Sequence, residues 1–159
     1  MAKGNEVPQE VKVLAQKPYR MVRKYSNYSL NGCTFHTKSF GEGKATQCDG
    51  VALIGKTSSF SSTRDDNPST GDVAYYGHIT EIIELNYMNI GYVVLFKCDW
   101  VDSVQGRGFQ KEKYGITQVN FNVLLNNGSS AFDEPYILAI QASQVYFVQD
   151  PIDRLACCG

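Results

Sequence analysis

Cys33-x-x-His36 is half of a zinc-ligand pattern, a thiolate and an imidazole at chelating spacing. A closed zinc site takes about four ligands, usually supplied as two such pairs. The second pair is missing. Cys48 stands alone, Cys98 lies within an apolar run, and Cys157-Cys158 are too close together for both to hold one ion in the ordinary way. No metal and no cofactor is therefore expected. Nucleophilic catalysis needs a base beside the nucleophile, and the sequence offers two histidines, His36 and His78. His78 beside Cys98 is the one conceivable pair. The carboxylates Asp65-Asp66, Asp99 with Asp102, and Asp133-Glu134 read as loop charge. No G-x-S-x-G or H-E-x-x-H occurs, and the stretch from Gly41 to Thr46 lacks the spacing of a phosphate loop. No catalytic residue is assigned, and an enzyme is not expected.

Binding chemistry is better represented. Arg20, Arg23 and Lys24 alternate with Tyr19, Tyr25 and Tyr28, and Lys38 follows. Cations for phosphate with aromatic faces for bases are what a nucleic-acid binder combines, so these four cations are the candidate DNA contacts. Charge is split along the chain. Residues 1–64 hold ten Lys/Arg against four Asp/Glu, and residues 65–159 hold five against twelve. Either the basic half meets nucleic acid, or the two halves attract each other within one fold. Aromatic residues are dense, and Tyr75, Tyr76 and Trp100 form a candidate aromatic face for a peptide or a modified side chain.

The elements that must position these residues are strands. From Gly71 to Asp102 two runs rich in β-branched and aromatic residues, Val73–Leu85 and Tyr92–Val101, flank a segment carrying Asn86, Asn89 and Gly91. Such residues suit a pleated, half-buried surface, and Asn and Gly between them predict a hairpin. Before it, residues 11–17 form a short helical turn ahead of Pro18, Leu30–Lys38 contains a turn and a short strand, and another strand is expected at Gly50–Ile54. Residues 39–50 and 55–71 read as loops. After it come a loop at 103–113, a strand at 114–121, a turn at 126–130, and strands at 136–139 and 144–148. About seven unevenly spaced strands with little helical period predict a mostly β domain, a small partly open β-barrel of the SH3 or BAH kind with an irregular N-terminal segment. The chain of 159 residues with 43% hydrophobic and 19% charged residues suits one globular domain. Its expected limits are a disordered segment at 1–10, a single domain at 11–153 and a divergent tail at 154–159. No run reaches the roughly 18–20 apolar residues of a membrane span, and the N-terminus lacks the apolar core of a secretory signal. An intracellular protein, nuclear or cytoplasmic, with free thiols is expected.

The ordered blocks LNGCTFHTK at 30–38, TQCDGV at 46–51, Tyr75-Tyr76-Gly77, EIIELNY at 81–87, VLFKCDW at 94–100, Val119-Asn120-Phe121, DEPYILA at 133–139 and QASQVYFVQDP at 141–151 together resemble the plant domain of unknown function found in CACTA (En/Spm-class) transposon proteins. The resemblance spans residues 11–153. In such proteins this domain accompanies the transposase, whose acidic-residue chemistry belongs to a different domain, so DNA cleavage is not implied. The resemblance implies a non-catalytic binding module acting by protein–protein or chromatin contact, with an unidentified protein partner. DNA binding through the basic half is the alternative, no membrane is involved, and exposed strand edges make a homodimer an option. The pattern leads one to expect Asn-Ser where Cys48-Asp49 stands and an aromatic residue at Cys33. It also continues past the QDP motif, so the Leu155–Gly159 ending implies a shortened or domesticated copy.

Overall fold

The computed structural model describes residues 7–59, 69–88, 91–111, 115–125, 134–149 and 155–158. Part of the expected disordered N-terminus (1–6), Asp65, Asp66, Tyr114, the turn at 126–130 and Asp133 lie outside them. A short helix α1 (Gln9–Leu14) leads to β1 (Arg23–Tyr25), β2 (Asn27–Leu30), β3 (Cys33–His36) and the one-turn helix α2 (Lys38–Gly41). Then come β4 (Gly50–Ser59), β5 (Ser69–Tyr87), β6 (Gly91–Trp100), β7 (Phe109–Lys111) and β8 (Thr117–Val119). The chain closes with β9 (Tyr136–Leu138), a 3-10 turn (Ala139–Gln141), β10 (Ser143–Gln144), β11 (Tyr146–Gln149) and β12 (Leu155–Cys158).

The protein is mostly β, as the residue types require. The expected hairpin is β5–β6, whose register runs from Tyr87↔Gly91 to Gly77↔Trp100. The strands make a six-stranded sheet ordered β10-β4-β5-β6-β9 with β1 also on β5, a four-stranded sheet ordered β11-β12-β8-β7, and the β2–β3 hairpin. The barrel detail of the expectation is not borne out: none of these sheets closes on itself among the described residues. The chain leaves the large sheet at β10 and enters the second sheet as β11, instead of returning to pair with β9.

Further differences concern segments read as loops or tail. β4 and β5 stay paired out to Ser59↔Ser69, through Ser/Thr residues that read as loop chemistry. Thr is in fact a strand-compatible β-branched residue. The expected tail contributes β12, which sits between β11 and β8. The loop at 103–113 contains β7, and α2 begins within the expected loop at 39–50.

β5 is 19 residues long and keeps one apolar face only because its alternation is reset. Register slips between Ile79 and Glu81, and the Thr80 hydroxyl donates to the Lys97 carbonyl at 3.1 Å. A bulge inserts one residue and so flips the alternation. Ile79 and Ile82, three apart, therefore both point into the core and are fully buried. Val51, Phe96, Cys98 and Trp100 join them. The β2–β3 hairpin covers this face, with the Phe35 ring tilted against Phe96 at a centroid distance of 5.0 Å. Its turn is Asn31-Gly32 with φ of 51° and 80°, the two-residue left-handed turn that follows strand twist and that Asn-Gly adopts at low cost.

The charge split is partly resolved inside the fold. β1, from the basic half, lies on β5, from the acidic half, with Arg23↔Glu84 in register. Lys24 Nζ is 2.5 Å from Glu81, which Lys97 also approaches at 3.1 Å. Lys24 and then Lys97 hold the Glu81 carboxyl below the ordinary carboxylate range by hydrogen bonding to it. Arg23 pairs with Glu84 at 3.6 Å. Among the described residues no helix is long and apolar enough to cross a membrane.

Candidate functional site

The site grows from one register position. Gly50, the first residue of β4, pairs with His78 on β5, so the residue before it, Asp49, reaches the imidazole. His78 Nδ1 lies 2.7 Å from Asp49 Oδ2, with side chains only 8% and 5% exposed. This is a close polar contact rather than a well-directed hydrogen bond, since the Nδ1 direction meets no acceptor squarely. Burial alone would raise the Asp49 carboxyl, but the His78 contact and charge, a backbone hydrogen bond and Lys38 together hold it below the ordinary value.

Aromatic rings wall the pair. The His78 ring lies 3.9 Å from Phe121 at 33° and 4.9 Å from Phe147 at 69°, and those two meet edge to face at 5.0 Å. Rings at these separations fill the space between them, so the trio is a packed wall and not an open cage for a cation. Phe147 reaches its place because Gly50 has no side chain: a Cβ there would sit 2.3 Å from the Val145 carbonyl and 2.8 Å from the Phe147 ring.

In front of the wall lies a cleft of about 600 Å³, within the range of ligand sites. It opens where two segments diverge. β10 pairs with β4 (Gln144↔Val51), and the Val145 amide still donates to the Gly50 carbonyl at 3.1 Å. Beyond that point Cys48 is drawn to β3, its carbonyl accepting from the His36 amide at 2.9 Å, while β11 joins β12. Lys38 and Lys44 line the cleft with Glu42, Asp49 and His78, and β11 contributes Tyr146 and Val148. Lys44 Nζ also rests 3.1 Å over the Phe40 ring.

The residues singled out from sequence are dispersed. Lys38 reaches the cleft. Arg20 is exposed and makes no ion pair among the described residues. Arg23 and Lys24 are exposed but engaged with Glu84 and Glu81. Tyr75 and Trp100 border one cavity of about 330 Å³, whereas Tyr76, next to Tyr75 on a strand, points to the opposite face. Trp100 is core, only 3% exposed, with its indole N–H donating to the Pro135 carbonyl at 3.2 Å.

The chemistry imagined at the cysteines is not assembled. Cys33 and His36 are three apart on β3 and so face opposite ways. Ile79, not His78, is opposite Cys98, which places His78 and Cys98 on opposite faces of the sheet. Burial, with a smaller contribution from Asp99, pushes the Cys98 thiol far up. Iodoacetamide on the folded protein is accordingly expected to spare Cys98 and to label the half-buried Cys33 and Cys48, read by peptide mass mapping; rapid labelling of Cys98 would contradict this packing. Among the described residues no group of three or more His, Cys, Asp or Glu could hold a metal ion. Sequence reading missed Asp49 as the partner of His78. The two are far apart in the chain, and the signal that joins them is the β4–β5 register rather than any motif.

Residues 83–155 match the family model described as Domain of unknown function (DUF4216). The matched stretch carries β6 to β11, including Phe121, Tyr146 and Phe147 of the cleft, while Lys38, Lys44, Asp49 and His78 precede it. No curated protein and no solved structure matches the chain.

Proposed function

We propose that this chain is a non-catalytic binding module of the plant, CACTA-transposon-associated kind its sequence resembles, and that it works by protein–protein contact in a chromatin setting. An extended segment of the partner lies in the cleft beside β11, its apolar side chains against Tyr146 and Val148 and its acidic ones toward Lys38 and Lys44. The observation that carries this reading is the cleft itself: about 600 Å³, walled by aromatic and aliphatic side chains and rimmed by two lysines. Its His–Asp pair is buried under the Phe121 and Phe147 rings, with the two side chains engaged with each other, an arrangement that favours binding over catalysis. DNA on the basic half has less support, because Arg23 and Lys24 already face acidic side chains of β5.

A display library of hexapeptides alternating apolar and acidic residues tests the reading on the full chain. Selected peptides are expected to bind about tenfold more weakly to a Lys38→Glu/Lys44→Glu variant, two rim charges at up to about 1 kcal/mol each, and to lose affinity with Val148→Asp. Selection of nothing, or affinities indifferent to both changes, would sink it. Fluorescence anisotropy with a random DNA duplex provides the opposing arm. Tight binding with a steep salt dependence would transfer the function to the basic half.

A further inference from the structure

The ladder between β10 and β4 stops where β11 begins. Its last bond is from the Val145 amide to the Gly50 carbonyl at 3.1 Å. In a strand the N–H and C=O of one residue point to the same lateral edge, and those of the next residue point to the other. With Val145 turned to β4, Tyr146 and Val148 turn to β12, with which β11 pairs. The Phe147 N–H and C=O then turn back to the β4 side. The residue that would continue the ladder there is Cys48, but its carbonyl accepts from the His36 amide at 2.9 Å. The Phe147 amide and carbonyl therefore face the open cleft, and neither meets a backbone partner among the described residues. β11 is the end strand of its sheet. Tyr146-Phe147-Val148-Gln149 carries neither the charge nor the proline that usually blunts such an edge.

We infer that the partner is held by its backbone: an extended segment of alternating apolar and acidic residues adds to β11 as a strand, in the position that the chain before β4 leaves open. This mode rests on the peptide-binding reading of the cleft and goes further, fixing how the peptide is gripped. Strand addition draws affinity from main-chain hydrogen bonds and leaves the side chains to set preference. Side chains of such a segment alternate between two faces. One set lies with Tyr146 and Val148, which are 45% and 56% exposed. The other lies on the face of Phe147, the His78 side of the cleft, with Lys38 and Lys44 at its rim. Neither lysine forms an ion pair among the described residues. The Asp49 carboxyl is already engaged with His78, so the rim favours an acidic strand even with Glu42 on it. A second copy of β11 fits less well, because it would bring the same lysines against each other.

Hydrogen exchange of the full chain, followed residue by residue by NMR, is the first arm of the test. In the free protein the Phe147 amide is expected to exchange fast and the Val148 amide, held by β12, slowly. A Phe147 amide as protected as that of Val148 overturns the inference, because the edge is then already taken. Hexapeptides selected for the cleft supply the second arm. Their binding is expected to slow exchange at Phe147. Replacing the peptide N–H groups by N-methyl one at a time is expected to weaken binding about tenfold or more at alternate positions and little between them. Peptides that tolerate every N-methyl group, or that leave exchange at Phe147 unchanged, overturn strand addition. Sensitivity to Lys38→Glu/Lys44→Glu with tolerance of N-methyl groups removes this mode alone. The reverse pattern removes the side-chain reading alone, and selection of no peptide removes both.

Discussion

Trp100→Ala is expected to destabilise the fold by about 3–5 kcal/mol, the usual cost of truncating a large buried aromatic residue. That is a large fraction of the roughly 5–15 kcal/mol that holds a domain together. The cost has two identifiable parts. The indole is only 3% exposed and belongs to the cluster of Ile79, Phe96 and Cys98, so its removal opens a cavity that a β-sheet cannot collapse to fill. Its N–H also donates to the Pro135 carbonyl at 3.2 Å, an oxygen that accepts from the Cys98 amide as well. One donor remains after truncation, so the hydrogen-bond loss is the smaller part. Trp100→Phe keeps most of the volume and is expected to cost far less. Urea denaturation followed by circular dichroism separates the outcomes. A midpoint shift worth under about 1 kcal/mol for Trp100→Ala would mean that the indole does not pack as described. The same variant distinguishes core from binding face: where it remains folded, affinity at the His78 cleft is expected to be unchanged.

That prediction shows where reading residues in order succeeds and where it stops. The β5–β6 hairpin is legible because β-branched and aromatic runs separated by Asn and Gly have few other uses. Alternation alone does not put Trp100 on the side of Tyr75, since that depends on the register slip between Ile79 and Glu81. Nor does it tell which side is covered, because that depends on Phe35 arriving from the β2–β3 hairpin. Trp100 therefore reads equally well as a binding surface or as core. The length of β5 was hidden for a related reason. The run through Thr80 was legible, but the start at residues 69–72, paired with β4, reads as loop chemistry. The Ser/Thr-rich continuation of β4 and β5 and the short β12 are held by long-range pairing, which local residue preference does not encode.

The candidate site was harder still. Lys38 was identifiable as a free cation, but as one of four meant for phosphate, and it lines a cleft whose other residues come from widely separated parts of the chain. Arg23 and Lys24 carried the same sequence signal and instead face Glu84 and Glu81. A basic run marks where charge is, not what it meets. Asp49 occupies a position at which the resemblance leads one to expect serine, and only its burial against His78 gives it weight.

Asp49→Ala then isolates the pair. Removing one member of a buried ion pair can cost about 3–5 kcal/mol when the other charge is stranded. The His78 ring also stays packed against Phe121 and Phe147 when Asp49 is truncated. The expected loss is therefore nearer the value of a charge-assisted contact, about 1.5–3 kcal/mol. The pH dependence carries the sign. Asp49 is held below its ordinary value in the folded state, because His78, a backbone hydrogen bond and Lys38 outweigh the opposing effect of burial. An unfolded aspartate titrates near about 3.9. Its stabilisation is thus complete above roughly that pH and is lost as pH falls through the lower folded value. Wild type and Asp49→Ala are expected to differ by a constant amount at neutral pH and to converge in acid. Urea midpoints at pH 7 and in the acid limb measure this directly. A gap that stays the same in acid would show that the ionised carboxylate is not what holds His78. Convergence would show that the aromatic wall of the cleft is anchored by a charge at its base, and that the shape of the cleft weakens with that charge.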